Sequence, residues 1–220
     1  MTDTIASQQK HPDIGLFLFT RFPHPGLTKT RLIPALGKAG AAQLQEQMTV
    51  HLFDRCQKIC KTESIQLQIH FAGGSLQQMQ AWLGNRTTFI PPTFIPQCEG
   101  NLGDRIISAL NQGFSSGLKR IIIIGSDCPQ IEQKHIKQTV EQLNNHDLVL
   151  GPATDGGYYL VGLKQLWLPL FQDVPWSTEQ LLDKTLAIAK QLNLSTSLLK
   201  TLSDIDRPED LFIWEQVSKS

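Results

Sequence analysis

Hydrophobic positions along the chain switch between two periods. Ile14 to Thr20 (IGLFLFT) is a short run apolar on both faces, as in a buried strand. From Ala39 to Cys60, Leu44, Met48, Leu52 and Cys56 recur on one stripe and predict a helix. Ile65 to Phe71 reads as a strand, and Leu76, Met79 and Leu83 as a short helix. Phe89 to Ile95 has strand composition, but Pro91 and Pro92 push it toward a sheet edge. Ile106, Leu110 and Phe114 then mark a helix, and Ile121 to Ile124 a strand covered on both faces. Ile136, Val140 and Leu143 give another helix, and Asp147 to Gly151 another strand. Ser177-x-x-Gln180 looks like the capping box of a helix running to Leu192, and a last helix follows Asp206 as N-cap.

Strands alternating with helices predict an open, mostly parallel α/β sheet. Such sheets bind ligands beyond the carboxyl ends of their strands, so the residues following each strand carry the functional information.

After the first strand comes TRFPHPGLTKTRL. Arg21, Lys29 and Arg31 crowd into this loop, and no acid occurs between Ile14 and Gln45. The whole chain, with 20 basic and 20 acidic residues among 220, is neutral. Positive charge concentrated at one strand end of a neutral protein suits phosphate. The loop matches neither a Walker sequence nor GxGxxG. After the central strand comes Gly125-Ser126-Asp127-Cys128-Pro129. Packing explains a carboxylate there poorly, although an Asx turn before Pro129 is the structural alternative. Mg²⁺ takes one or two carboxylates plus phosphate oxygens, so Asp127 facing a basic loop fits it. Cys128 lacks a local base that would make it a nucleophile. In GPATDGGYYLVG, Asp155-Gly156 signals a hairpin; Gly156 and Gly157 allow close backbone approach, and Tyr158 and Tyr159 can flank a sugar or base. In SDIDRPEDL, Asp206 is placed to add a second carboxylate to the same cation.

The neutral balance excludes a general nucleic-acid or anionic-membrane surface. No apolar run approaches the roughly 18 residues of a membrane span. The polar start, 1–12, reads as a flexible lead-in to a single domain over 13–218, without a signal core, and a cytoplasmic address is expected. Cys56 and Cys60, four apart on a helix stripe, read as core rather than as a metal pair.

The motifs RFPHPGLTKTRL, QCEGNLGDRI, IGSDCP, GPATDGGYYLVGL, VPWST and DIDRPEDL occur in that order between about Leu16 and Leu211. In these the chain resembles the glycosyltransferase-A-like family of rSAM/selenodomain-associated transferase 1, related to guanylyltransferases of molybdenum-cofactor and phospholactate pathways. The resemblance implies a single-domain, Rossmann-like nucleotide-diphosphosugar transferase fold, a mostly parallel mixed sheet between helices. It also implies a nucleotide or nucleotide-sugar substrate, a small-molecule acceptor, and Mg²⁺ or Mn²⁺. On this reading Asp127 and Asp206 hold the metal, and Asp127, Lys29 and Arg31 serve catalysis. Arg21, Lys29, Arg31, Gly103 and Arg105 bind phosphates. Asp155, Gly156, Gly157, Tyr158 and Trp176 bind substrate. Phe22-Pro23-His24-Pro25 stands where sugar-nucleotide pyrophosphorylases carry a Gly-rich loop. Glycosyl transfer and nucleotidyl transfer both remain open, as does a nucleotide-binding module without turnover.

Overall fold

A computed structural model describes residues 12–87, 89 and 91–219. Apart from Pro12, the N-terminal segment 1–12 lies outside the described residues. Seven strands form one sheet. β1 (Ile14–Arg21), β2 (Ile65–Ala72), β3 (Thr93–Pro96) and β4 (Arg120–Gly125) are parallel, in spatial order β3-β2-β1-β4. β5 (Leu148–Pro152) and β6 (Tyr158–Leu163) form an antiparallel hairpin, and β6 pairs antiparallel with β4. β7 (Thr196–Leu198) closes the far edge beside β5. The sheet is therefore mostly parallel, with β6 as its reversed strand.

Alternation along each strand divides the core. Leu16 and Leu18 of β1 and Ile122 and Ile124 of β4 face the helices α1 (Ile33–Thr62), α2 (Leu76–Leu83) and α4 (Gln133–Gln142). Phe17, Phe19, Ile121 and Ile123 face the opposite layer, built from α3 (Leu102–Ser115) and α5 (Leu181–Gln191). Each β4 isoleucine is at most 5% exposed, which is why a β-branched run apolar on both faces occupies this place. Cys56 and Cys60 lie in the first layer, at 1% exposure each. A smaller cluster joins α1 to α6 (Leu211–Val217) through Leu32, Met48, Ile205 and Ile213. At Gly37 the backbone leaves helical geometry, with φ at +70°, and kinks the start of α1.

Three expected boundaries shift. α5 begins at Leu181, and Ser177 has φ +62° with no capping role. Residues 177–180 are instead drawn into a turn against the β5–β6 hairpin: Leu182 N–H donates to Gly156 O at 2.9 Å, and Thr178 Oγ1 caps Gln180 N–H at 3.4 Å. α6 begins after a 3₁₀ turn at Pro208–Asp210. There Asp210, not Asp206, takes the N–H groups of Asp206 and Arg207, at 3.0 and 2.8 Å. The strand expected over 89–95 is Thr93–Pro96, on the β2 edge. β7, three residues long, gave no readable period.

Candidate active site

Arg21 ends β1, and the chain then turns through Phe22 to Thr28, closed by Thr28 Oγ1 donating to Phe22 O at 3.1 Å. Lys29 follows in a left-handed conformation, φ +51°. That unusual backbone sends its side chain inward, where only 4% of it remains exposed. A buried ammonium needs compensation. It finds Asp127 Oδ1 at 2.9 Å and donates to Ile205 O at 2.5 Å. Three strand-end segments thus converge on one cation.

The β4 end is held independently. Ser126 N–H donates to Phe19 O at 3.0 Å, and Ile205 N–H donates to Asp127 O at 2.9 Å. Beneath it lies a buried polar network. Gln45 Nε2 donates to Ser126 Oγ at 2.9 Å and to Thr49 Oγ1 at 3.1 Å, and Thr49 and Thr20 share a 3.0 Å hydroxyl contact. This network fixes α1 against β1 and the Asp127 loop.

Asp127 faces a crevice of two lobes. The polar lobe, about 650 Å³, is lined by Arg21, Lys29, Arg31, Arg105, Gln45 and Gln97 among others. Arg105 is held by Gly100 O at 3.1 Å and Gln97 Oε1 at 3.3 Å. The apolar lobe, about 350 Å³, is walled by Leu102, Ile106, Tyr158, Trp176 and Leu181, with Asp155 at its rim. Asp155 Oδ1 accepts the Gly157 N–H at 3.0 Å, and Trp176 meets Tyr158 edge-on with centroids 6.2 Å apart. Asp127, Asp204, Asp206, Arg31, Tyr158 and Tyr159 border both lobes.

The fold therefore gathers Arg21, Lys29, Arg31, Arg105, Asp127, Asp155, Gly157, Tyr158, Trp176 and Asp206 around one crevice. Gly103 and Gly156 line neither lobe. A Cβ on Gly103 would sit 2.3 Å from Phe171 O and 2.7 Å from Trp176 Nε1, so this glycine lets α3 dock on the loop carrying Trp176. Gly156, at φ +85°, approaches the Glu179 backbone so closely that a Cβ would lie 2.2 Å from Glu179 O. Both glycines serve packing that shapes the apolar wall.

Two carboxylates of SDIDRPEDL have opposite environments. Asp206 forms an ion pair with Arg31 across the mouth. Asp204 turns inward, and its buried Oδ1 has no hydrogen-bond partner. Burial, then the charges of Asp127 and Asp155, push its carboxyl up to about 7, and Lys29 opposes this. The sequence alone places the second carboxylate at Asp206. Two residues apart in an extended segment, both are equally plausible from sequence. Gln45 lies in no motif, and Ser126 and Gln97 stand inside IGSDCP and QCEGNLGDRI with no role of their own legible there. Cys128 is 1% exposed, and burial together with the charges of Asp204 and Asp127 drives its thiol far above the usual range, away from thiolate.

Among the described residues no group of three or more His, Cys, Asp or Glu is placed to hold a metal alone. The unpartnered Asp204 oxygen beside half-exposed Asp127 does fit a cation that takes its remaining ligands from a phosphate.

A mixed sheet with one crevice across its carboxyl ends, cationic on one side and aromatic on the other, defines a nucleotide-diphosphosugar transferase-type α/β domain. The chain belongs to the family described as "uncharacterized protein conserved in bacteria (DUF2064)", whose profile matches residues 55–178. It is 34% identical over 96 residues to the 2-phospho-L-lactate guanylyltransferase of Methanocaldococcus jannaschii. That match covers 42% of this chain and 41% of the relative, so the chain spans less than half of that protein's length. A solved structure of a candidate nucleotide-diphospho-sugar transferase from Desulfovibrio desulfuricans superposes with a TM-score of 0.82 at 26% identity. The superposition covers 94% of this chain and 88% of that one. A CMP:2-keto-3-deoxy-manno-octonic acid synthetase complexed with CTP shares the fold at TM-score 0.56 and 11% identity, over 94% of this chain and 98% of that one. No helix among the described residues is long and apolar enough to cross a membrane.

Proposed function

We propose that the protein is a divalent-metal-dependent transferase that moves a nucleotidyl or glycosyl group from a nucleoside triphosphate or nucleotide sugar to a small acceptor. The observation that carries this is Asp127. It stands at the end of the central strand, on the border of a cationic and an aromatic lobe, with the unpartnered oxygen of Asp204 behind it. The guanylyltransferase relative and the CTP-bound neighbour of like fold support a nucleotide as donor.

In this reading Arg21, Arg105 and Arg31 draw the donor's phosphates into the polar lobe. Lys29 holds Asp127 and Ile205 in register, so the carboxylate is oriented before ligand arrives. Asp127 and Asp204 would hold Mg²⁺ or Mn²⁺, which when bound offsets charge on the phosphates and on the departing phosphate oxygen. Asp206 bridges to Arg31 and fixes the guanidinium at the mouth. Trp176 and Tyr158 present the acceptor from the other side.

A thermal-shift screen of nucleoside triphosphates and nucleotide sugars, with and without Mg²⁺, tests this. A ligand at 100 times its Kd adds about 2.7 kcal/mol of stability. Stabilisation by a nucleotide only in the presence of Mg²⁺, with release of pyrophosphate or nucleoside diphosphate on adding acceptor, is the expected result. No nucleotide-dependent shift under either condition would overturn the reading.

A further inference from the structure

Charge is distributed unequally between the lobes. The cations Arg21, Lys29 and Arg105 all line the polar lobe. The apolar lobe has one cation, Arg31, against Asp127, Asp155, Asp204 and Asp206. Arg31 is already paired with Asp206, and Lys29, beneath Asp127, is already engaged. If a divalent ion offsets Asp127 and Asp204, Asp155 is still uncompensated. A phosphate monoester entering this lobe would meet that carboxylate, while the lobe's one cation, Arg31, is shared with the polar lobe and with Asp206.

The walls are complementary to something else. Trp176 donates its indole N–H to Phe171 O at 3.4 Å, and its ring, edge to edge-face with Tyr158, forms an apolar wall. Ser177 and Thr178 line the same lobe, the Thr178 hydroxyl donating to Pro175 O at 2.8 Å. Aromatic surface bordered by hydroxyl and carboxylate groups suits the C–H faces and hydroxyl groups of a polyol or sugar. The volume of about 350 Å³ has room for a molecule of monosaccharide size.

We propose that the apolar lobe is an acceptor subsite for an uncharged, hydroxyl-bearing small molecule, and that Asp155 makes it reject phosphate monoesters. This rests on the nucleotide-dependent transfer proposed above and names the class of its second substrate. Asp155 acts as a specificity determinant: its Oδ1 is fixed by the Gly157 N–H, so its charge stays at the rim.

The test uses matched pairs on the full chain with Mg²⁺: glycerol and glycerol 3-phosphate, ribose and ribose 5-phosphate, glucose and glucose 6-phosphate. Binding is read by ligand-observed saturation-transfer NMR, with and without the nucleotide giving the largest thermal shift, which occupies the polar lobe. With nucleotide bound, the neutral member of at least one pair is expected to bind at least tenfold tighter than its phosphate ester, and Trp176→Ala to abolish that binding. Asp155→Asn keeps a side-chain oxygen for Gly157 and is expected to narrow the gap at least threefold without changing the melting temperature. Equal or tighter binding of the phosphate ester in any pair, or no binding by any neutral member, overturns the proposal. If no nucleotide shifts the melting temperature yet the neutral members still bind through Trp176, the transferase reading fails and this subsite stands.

Discussion

Lys29 Nζ lies 2.9 Å from Asp127 Oδ1, with the lysine side chain 4% exposed and the aspartate 50% exposed. The pair is asymmetric: the cation is committed to the protein and the anion is half available to a ligand. Removing one partner of a completely buried pair costs about 3–5 kcal/mol, and exposed pairs contribute about 0–1. Lys29→Met is therefore expected to lose an intermediate amount, about 1–2 kcal/mol, in urea unfolding. A double-mutant cycle with Asp127→Asn should return a favourable coupling energy. Strict additivity of the two single variants would mean the pair is incidental.

Asp127→Asn and Asp204→Asn are each expected to slow metal-dependent turnover by on the order of 10²- to 10³-fold, at about 1.36 kcal/mol per decade. Calorimetry should show nucleotide and metal binding with positive coupling in the parent chain and weakened coupling in both variants. Asp206→Asn, which loosens Arg31, should have the smaller effect. The reverse order would return the metal role to Asp206.

Gly103→Ala places a methyl group where Phe171 O and the Trp176 indole already stand. Overpacking of this kind costs about 1–3 kcal/mol, and a kcal/mol shifts the midpoint about 2–4 °C in a domain of this size. A melting point lowered by about 4 °C or more, with altered tryptophan fluorescence, is expected. An unchanged melting curve would show that the Trp176 loop is not packed on α3 as described.

His70 is 2% exposed between the rings of Phe17 and Phe19, with Nε2 3.0 Å from Gln68 Oε1. Burial lowers its pKa to about 4 from 6.5. Because the folded value lies below the unfolded one, protonation favours unfolding. The contribution is complete above about pH 6.5 and lost as pH falls toward 4, amounting to about 3 kcal/mol at roughly 1.4 kcal/mol per unit. His51, likewise lowered to about 4 by burial and then by Arg55, adds to the same limb. Urea midpoints between pH 7 and 4.5 should fall, and His70→Phe should flatten that slope.

Of the four cysteines, Cys98 is exposed and Cys56, Cys60 and Cys128 are buried. Maleimide at neutral pH is expected to label one thiol per native chain and four after denaturation. Cys128→Ser should retain most activity, since burial keeps the thiol protonated. Loss of turnover in a folded Cys128→Ser protein would reopen covalent chemistry.

The strands and helices were legible because burial imposes periodicity on the residues themselves. Ile121 to Ile124 announce a strand covered on both sides, and Leu44, Met48, Leu52 and Cys56 announce a helix with one buried stripe. The crowding of Arg21, Lys29 and Arg31 after the first strand was legible too, but that Lys29 turns inward to Asp127 and Ile205 was not. The tertiary structure decided what no period encodes. Ser177 and Gln180 have the letters of a capping box, but the Gly156 turn captures that segment first. Gly103 and Gly156 make room for atoms of Phe171, Trp176 and Glu179, far away in sequence, which no local pattern shows. Which acid of SDIDRPEDL turns inward and which pairs with Arg31 depends on how that segment is pinned, by Ile205 to Asp127 and Lys29, and by Thr154 to Leu202 and Ser203. Local pattern determines which elements form. Contacts between elements determine which side chains meet, and in this protein they turn Asp204 inward and leave Asp206 to Arg31.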